Sequence, residues 1–395
     1  MGIITSMIKR FLKLSINKSC FIFGPRQVGK STFLKDLFKK ESFIYYDLLK
    51  TSEYMKFSVN PGVLFREIEA LDSNVKYIII DEIQRVPDLL NEVHRIIEDK
   101  KNLQFILSGS SARKLKRSHA NLLAGRALTF YLFPLTHLEL KNKFNLDRAL
   151  NYGTLPSVYL NTDDDLARDT LRSYIETYLE EEIKQEALIR NIGGFLRFLK
   201  LTADENGNII NYSNLARETG NERRTVKEFF QILEDTLIGF HLFPYTKSPR
   251  KKLIQHPKFY FFDTGVQRAL SKQISLELEA GTSLYGKAFE HFIILEIIRL
   301  SRYLKKDFEF SFYRTSDGAE VDLIIESPAK EVFAIEIKSS FNIHSKALNG
   351  LRSFKEVCKK AKLFCVSLVD RKQQQGEIQI LPWKQIFEVL GLNSF

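Results

Sequence analysis

A glycine-rich segment near the start of the chain has the residue types of a phosphate-binding loop. It matches the pattern GxxxxGK(S/T), and it stands between an apolar run and a helical stretch. In such a loop backbone N–H groups wrap around phosphate oxygens, and the N-terminus of the following helix adds donors and a favourable dipole. Lys30 is expected to reach the β- and γ-phosphates and Ser31 to ligate Mg²⁺, so the loop is predicted to bind ATP with Mg²⁺. The predicted nucleotide-binding residues are Gly24, Pro25, Arg26, Gln27, Val28, Gly29, Lys30, Ser31 and Thr32.

Two adjacent acids further along the chain complete the chemistry of a hydrolytic site. Asp81 and Glu82 follow the apolar residues 77–80. Because successive side chains on a strand point to opposite faces, Asp81 is predicted at the Mg²⁺ ion while Glu82 polarises the attacking water. A glutamate in that position favours hydrolysis over transfer of a phosphoryl group to a metabolite. A P-loop kinase is therefore the least favoured alternative.

Two further residues are predicted to take part in catalysis, each with a plain structural alternative. Ser108 follows the strand-like residues 103–107 and would lie near the γ-phosphate, but it could equally cap a helix. Arg126 ends a basic cluster and would be an arginine finger acting on a neighbouring subunit's nucleotide, or else a surface cation. The predicted catalytic residues are Lys30, Glu82, Ser108 and Arg126.

The elements around these motifs indicate a parallel α/β sheet in the first 140 residues or so. Nearly continuous apolar runs alternate with helical stretches, as expected of strands that helices cover on both faces. The predicted strands are residues 20–23, 43–47, 76–80, 103–107 and 127–133.

The motifs resemble those of a known family. The runs GPRQVGKS, YIIIDEIQRVPDLL, LSGSSARKL and LAGRALTFYLFPLTHLEL are similar to the AAA-type (AAA+) P-loop ATPases of bacteria and archaea whose C-terminal half is a domain of unknown function related to PD-(D/E)xK nucleases. The likeness covers almost the whole chain. It implies an AAA+ fold, ATP hydrolysis and a homo-oligomer, with a hexamer as one ring size. One difference is the segment TYLEEEI at residues 177–183, where such proteins commonly have an Arg-Asp pair.

The middle of the chain has a pattern of helix, glycine turn and helix, followed by a ribbon at residues 240–262. The second helix has an apolar stripe on one side, formed by Val226, Phe230, Leu233 and Leu237. Its N-terminal end is basic, as in a recognition helix, and the ribbon would be the wing of a winged-helix-like fold. A lid that uses this fold only for packing is the alternative. The predicted nucleic-acid contacts are Arg223, Arg224, Lys227, Arg250, Lys251 and Lys252.

Four residues near the C-terminus fit a metal-dependent phosphodiesterase. Glu290 lies on a predicted helix, Asp322 on a strand, and Glu336 and Lys338 two apart on the next strand, where they share a face. Glu290, Asp322 and Glu336 are predicted Mg²⁺ ligands, and Lys338 would orient or deprotonate water. This order of elements matches the PD-(D/E)xK topology. The alternatives are DNA binding or partner docking without cleavage, and a merely charged strand face.

Composition limits the classes of protein that fit. The chain has 395 residues, 44% of them hydrophobic and 27% charged, which indicates a globular protein and argues against a membrane span, a disordered chain or a fibre. Its net charge of +11 includes two acid-free basic segments, residues 112–126 and 241–262, and this favours a nucleic-acid partner, DNA above all. Three cysteines without disulfide or zinc spacing favour the cytoplasm.

Together these patterns predict the α/β architecture and its divisions. We expect an AAA+ P-loop ATPase domain over residues 1–150, a helical lid or connector over 151–190, a winged-helix-like domain over 191–265 and an α/β PD-(D/E)xK nuclease-like domain over 275–395. The expected function is Mg²⁺-dependent ATP hydrolysis that remodels DNA, moves along it or migrates its branches. The alternative is an ATP-driven switch whose nuclease-like domain binds a protein partner in signalling or defence.

Overall fold

The computed structural model describes residues 8–15, 17–72, 74–99, 102–111, 123, 125–179, 192–246 and 256–393. In the first third of the chain five strands form one parallel sheet in the order β2-β3-β4-β1-β5. The strands are β1 Cys20–Phe23, β2 Phe43–Asp47, β3 Tyr77–Asp81, β4 Gln104–Gly109 and β5 Leu128–Tyr131. The helices of this region are α1 Lys30–Leu37, α2 Thr51–Val59, α3 Val63–Glu69 and α4 Leu89–Asp99. All five predicted strands exist, with ends that differ from the prediction by three residues or fewer.

Both faces of this sheet are buried, which explains the continuous apolar runs. Ile79 packs into one hydrophobic cluster and its neighbours Ile78 and Ile80 into another. Alternate side chains on a strand point to opposite faces, so a strand with helices on both sides needs apolar residues at every position. Parallel strands also end at the same edge of a sheet. The carboxyl ends of β1, β3 and β4 therefore bring their following residues together.

A group of short helices follows the first sheet. They are α5 His137–Leu140, α6 Leu146–Tyr152, α7 Pro156–Tyr159 and α8 Asp164–Ser173, which a π-helical turn continues over Tyr174–Leu179. Thr136 and Glu139 form a capping box that begins α5, and the Asp163 carboxylate accepts two backbone N–H groups at the start of α8. Residues 180–183 of the segment that differs from the family pattern lie outside the described residues.

Among its described residues, the middle region has three helices and an antiparallel ribbon. The helices are α9 Ile192–Asp204, α10 Tyr212–Thr219 and α11 Arg223–Asp235, and the ribbon strands are β6 Gly239–Pro244 and β7 Lys258–Phe261. Gly220 ends α10 with φ 66°, a left-handed conformation that glycine adopts without strain. Val226, Phe230 and Leu233 are buried as expected, but α11 ends before Leu237, which lies in the following turn.

The C-terminal region is built on a second, larger sheet. Its eight strands have the order β12-β13-β11-β10-β9-β8-β6-β7, so the ribbon strands β6 and β7 belong to it. The junction is a parallel pairing of Phe243 with Ser311 and of Pro244 with Phe312. The remaining strands are β8 Glu309–Arg314, β9 Glu320–Glu326, β10 Val332–Lys338, β11 Lys362–Ser367, β12 Gln373–Gln375 and β13 Ile378–Pro382. Strands β12 and β13 had no counterpart in the sequence prediction.

Helices pack against this sheet, and one of them is long and buried. The helices are α12 Thr264–Leu270, α13 Ser283–Tyr303, α14 Asn349–Val357 and α15 Gln385–Val389. Most side chains of α13 are buried, and they share one hydrophobic cluster with Phe11 and Leu132 of the N-terminal region. Among the described helices we find none with the length and apolar character that crossing a bilayer requires.

Candidate functional site

The glycine-rich loop joins β1 to α1. Gly29 stands at the start of α1 with φ 90°, and none of the described side chains caps the helix there. The side chain of Lys30 is buried, and its ammonium donates hydrogen bonds to the carbonyl oxygens of Gly24 (2.8 Å) and Pro25 (3.1 Å). The helix N-terminus and the lysine thus face the same loop, where they can receive an anion.

Gly24 is required at its position because another chain segment passes against it. A Cβ atom there would lie 2.2 Å from the carbonyl oxygen of Leu132, far inside any van der Waals contact. Leu132 follows β5, and its N–H donates to Phe23 at the end of β1. The loop therefore begins in a gap that only a glycine fits.

The carboxylate of Asp81, at the end of β3, accepts hydrogen bonds from three hydroxyl groups. Ser31 donates to Oδ2 over 2.6 Å, Tyr45 donates to the same oxygen, and Ser108 donates to Oδ1. Ser108 lies within β4, so it is part of a strand and caps no helix. A serine hydroxyl beside a buried carboxylate is a hard-oxygen pair of the kind Mg²⁺ prefers. The residues present therefore fit a magnesium ion whose other ligands are phosphate oxygens and water.

Glu82 follows directly in a left-handed backbone conformation with φ 61°. This turn separates its carboxylate from that of Asp81. Gln84 donates to Glu82 Oε2 and also to the hydroxyl of Ser110 over 3.0 Å. Burial raises the pKa of Glu82 above its ordinary value, although the nearby positive charge of Lys30 acts in the opposite direction. A buried carboxylate held by an amide is a suitable acceptor for a proton from water.

Arg126 is placed at the surface, where it pairs with Glu98 of α4 over 2.5 Å. Its side chain is 41% exposed. This position agrees with either of the two interpretations of its sequence, a surface cation or a contact to another subunit. Residues 112–122, which make up most of the basic segment before it, lie outside the described residues.

An apolar cleft of about 740 Å³ adjoins the loop on the side of Gly29 and Thr32. The segment before β1 forms one wall and the helices after the first sheet form the other. Most of the exposed lining is apolar, which suits the flat face of an aromatic base. The apolar lining residues include Ile8, Leu12, Leu14, Phe33, Leu135, Pro156 and Leu160.

Arg10, which no motif indicated, ties the loop to the long helix α13. Its guanidinium donates to the Val28 carbonyl (2.8 Å), to Glu139 (3.0 Å) and to the hydroxyl of Tyr303 (3.3 Å). The same hydroxyl accepts the N–H of Phe133 over 2.9 Å. Tyr303 is the last residue of α13, so the end of this helix is hydrogen-bonded to the base of the nucleotide loop.

The four residues of the predicted nuclease-like set lie together at the C-terminal sheet. Asp322 on β9 accepts the N–H of Ile337 over 2.7 Å, and the ammonium of Lys338 lies 2.5 Å from Glu336 Oε1 and 3.9 Å from Asp322 Oδ2. Glu290 on α13 accepts a hydrogen bond of 2.7 Å from Tyr260. Burial and the charge of Asp322 raise the pKa of both Glu290 and Glu336 above the ordinary value.

Protein groups already contact several of these carboxylates. Within the described parts of the chain we find no group of three or more His, Cys, Asp or Glu side chains arranged to hold a metal. Lysine ammonium groups lie against Glu290 and Glu336 instead. The set predicted from the sequence is thus brought into one place, and its role in holding a metal stays a prediction.

The three basic residues predicted on the second helix of the middle region are all exposed near the N-terminal end of α11. Arg224 pairs with Glu228 one turn later (3.2 Å), and the ammonium of Lys227 lies 5.5 Å from the ring centre of Tyr212. Arg223 is also exposed. The other predicted contacts, Arg250, Lys251 and Lys252, lie outside the described residues.

Comparison with protein families divides the chain into three parts. Residues 16–141 match the model of an AAA domain, residues 143–277 a domain of unknown function (DUF8612) and residues 285–386 another domain of unknown function (DUF4143). The first match, together with the parallel sheet, confirms the prediction of an AAA-type α/β domain in the N-terminal region. The other two matches name no nuclease and no winged helix, so those relationships stay predictions.

Similar proteins span most of the chain. An uncharacterized protein of Mycobacterium tuberculosis is 28% identical over 320 residues, which are 80% of this chain and 69% of that protein. An uncharacterized protein of Methanocaldococcus jannaschii is 24% identical over 384 residues, 90% of this chain and 82% of that one. Domain III of the Thermotoga maritima replication initiation protein DnaA is 14% identical and covers 55% of this chain and 84% of that chain with a TM-score of 0.23. At that score the structural likeness carries no argument.

Proposed function

We propose that this chain binds ATP with Mg²⁺ at the loop of residues 24–32, hydrolyses it and uses the cycle to act on nucleic acid. The observation that supports this most directly is the contact of Ser31 with Asp81 beside the buried Lys30. A hydroxyl, a carboxylate and an ammonium then surround the place where the phosphates would lie. A Mg²⁺-bound polyphosphate makes use of all three at once.

Each residue has a separate task in this proposal. Lys30, freed from the loop carbonyls, would hold the β- and γ-phosphates, while Ser31 and Asp81 would hold Mg²⁺. The magnesium ion, when bound, neutralises charge on the phosphate oxygens. Glu82 accepts a proton from the attacking water, and Ser108, which donates to Asp81, would contact the γ-phosphate or the water. Arg126 acts on the nucleotide of a neighbouring subunit in a homo-oligomer, a hexamer being one ring size.

The apolar cleft is the proposed site of the adenine base. It begins at Gly29 and Thr32, which belong to the phosphate-binding loop and the first turn of α1. An apolar wall of Leu135 and Pro156 can cover one face of a purine, and burial of such a ring is favourable at roughly 25 cal/mol per Å² of apolar surface. Since both the segment before β1 and helix α7 contribute to the walls, bound nucleotide would hold these two elements together.

Nucleic acid is the proposed partner because of where the cations lie. Arg223, Arg224 and Lys227 form an exposed basic end on α11, at the position of a recognition helix. The cavity of about 440 Å³ at the junction of the middle region with the C-terminal sheet carries Lys287 and Arg314 as well. Two acids, Glu290 and Glu320, line the same cavity, so the exposed cations of α11 are the main support for a polyanionic partner.

The test measures ATP turnover without nucleic acid and with single-stranded, duplex and four-way DNA at several salt concentrations. We expect stimulation by at least one DNA, with binding that weakens steeply as salt rises because counterions are released. The double variant Arg223→Gln/Arg224→Gln should lower DNA affinity and reduce the salt slope by about 1 for each lost phosphate contact. Arg217→Gln, an exposed arginine on the preceding helix, is the matched control.

An ATP-driven switch with a protein partner is the second candidate. The link from Arg10 to Tyr303 favours it, because a change at the loop would reach the end of α13 without any nucleic acid. ATP turnover that no DNA stimulates, together with unchanged turnover in Arg223→Gln/Arg224→Gln, would contradict the nucleic-acid proposal and support the switch.

A further inference from the structure

A lysine from the ribbon enters the carboxylate cluster of the C-terminal sheet. Lys258 is the first residue of β7, and only 4% of its side chain is exposed. Its ammonium nitrogen lies 2.5 Å from Oε1 of Glu320 and 3.7 Å from Oε1 of Glu290. A charge this deeply buried is stable only where opposite charges and hydrogen bonds compensate it. Strand β7 of the ribbon thus places one positive charge against Glu290 of α13 and Glu320 of β9.

The position of Lys258 is fixed on several sides. Its backbone pairs with Leu242 of β6 and forms a bridge with Ile209, and its ammonium lies 5.3 Å from the ring centre of Phe312. Tyr260, two residues later on the same strand, donates to Glu290 over 2.7 Å. Two side chains on one face of β7 therefore contact the acids of the cluster.

The other acids of the cluster also have protein donors. Lys338 pairs with Glu336, and the N–H of Ile337 donates to Asp322 Oδ2. Mg²⁺ needs several oxygens converging at about 2.0–2.1 Å in near-octahedral geometry. At Glu336 and Asp322 the oxygens instead accept from an ammonium group at 2.5 Å and an amide group at 2.7 Å, and among the described residues no three or more His, Cys, Asp or Glu side chains are arranged to hold a metal.

We propose that the ammonium group of Lys258 serves as the resident cation of the cluster formed by Glu290, Glu320, Asp322 and Glu336, in place of a divalent metal ion. The C-terminal site then holds its acids in a fixed, charge-compensated arrangement and does not cleave phosphodiesters. Under the proposed function it grips nucleic acid through the cations at its mouth.

One carboxylate oxygen of the cluster accepts no hydrogen bond from the described residues. Oε2 of Glu336 is buried and has no hydrogen-bond partner among the described residues. Removal of the Lys258 charge would leave Glu290 without its ammonium partner and Glu320 with Arg314 alone, and the Glu336 oxygen would be available in the same cluster. A divalent ion is the natural replacement, so loss of the lysine should create a metal site that the natural chain lacks.

The experiment counts bound Mn²⁺ per chain by electron paramagnetic resonance, on full-length protein without nucleotide. Lys258→Met keeps the unbranched stem and removes the charge, and we expect it to gain one bound Mn²⁺ relative to the natural chain. The gain should disappear in Lys258→Met/Glu336→Gln. Lys287→Met removes an exposed charge from the wall of the same cavity and should gain none.

A second comparison decides the matter even if Lys258→Met fails to fold. The natural chain and Glu336→Gln should bind equal amounts of Mn²⁺, because Glu336 holds no metal when Lys258 is present. Loss of one ion in Glu336→Gln would overturn the proposal, as would a folded Lys258→Met, checked by circular dichroism, that gains no ion. Because no nucleotide is present, the outcome does not depend on whether the chain hydrolyses ATP.

Discussion

The hydroxyl of Ser31 donates a hydrogen bond of 2.6 Å to Oδ2 of Asp81, although the two residues are 50 positions apart in the chain. The parallel order of β1, β4 and β3 produces this contact, because it places the end of β3 at the edge where the glycine-rich loop begins. The proposed binding of Mg²⁺ with ATP depends on this contact.

Glu82→Gln should bind ATP but turn it over roughly 10²–10⁴ times more slowly, the range for loss of a general base. The amide has the size of the carboxylate and cannot accept the proton from water. Steady-state phosphate release and equilibrium binding of a fluorescent ATP analogue measure the two effects separately. A variant that hydrolyses ATP at the natural rate would remove Glu82 from the mechanism.

Gly24→Ala should weaken ATP binding and lower the unfolding temperature. Its new methyl group would lie 2.2 Å from the Leu132 carbonyl oxygen, so the loop or the chain after β5 must move. Gly286→Ala is the control, because its methyl group would meet only the Ser339 hydroxyl at 3.3 Å, the end of a movable side chain. Equal thermal stability and equal ATP affinity in Gly24→Ala and the natural chain would contradict the close approach of the Leu132 carbonyl to Gly24.

Arg10→Met should lower the free energy of unfolding by about 3–5 kcal/mol, the usual cost of removing one partner of a buried ion pair. The side chain of Arg10 is 7% exposed and that of Glu139 is fully buried, so water cannot replace the lost contact. Urea unfolding measures the change. Lys13→Met is the matched control on the same segment, since Lys13 is exposed and should change stability by less than about 0.5 kcal/mol.

Thiol reagents should react very slowly with the native protein at pH 8. Cys20, Cys358 and Cys365 are all buried, and burial raises the pKa of the Cys20 thiol to about 12. Because the thiolate is the reactive form, the rate at Cys20 should rise with pH and remain low until the chain opens. Absorbance after addition of a disulfide reagent should report three thiols in guanidinium chloride. Rapid reaction without denaturant would contradict the burial of these side chains.

The nucleotide loop and its strands could be predicted from sequence because their signals are local. Glycines and the lysine of residues 24–31 have fixed spacing, and apolar runs such as residues 77–80 are long enough to identify buried strands. Strand order has no local signal, since hydrogen bonds between strands join residues far apart in the chain. The contacts of Ser108 with Asp81 and the continuation of the ribbon into the second sheet therefore appear only in the structure.

Arg10 and Lys258 were missed for a related reason. Each works through partners that are distant in sequence, Glu139 and Tyr303 for the first and Glu290 and Glu320 for the second. The one sequence signal for Lys258 was a lysine directly before the apolar residues 259–262. A charged residue at the end of a buried strand is usually at the surface. The burial of the Lys258 side chain and its contacts with Glu290 and Glu320 therefore had to come from the structure.

The most direct test of the central claim is the equilibrium affinity for a fluorescent ATP analogue, with and without Mg²⁺, in the natural chain and in Asp81→Asn. The natural chain should bind more tightly when Mg²⁺ is present, and Asp81→Asn should lose that enhancement while it keeps the weaker Mg²⁺-independent binding through Lys30. No measurable affinity in the natural chain, or an equal effect of Mg²⁺ on both proteins, would contradict the account.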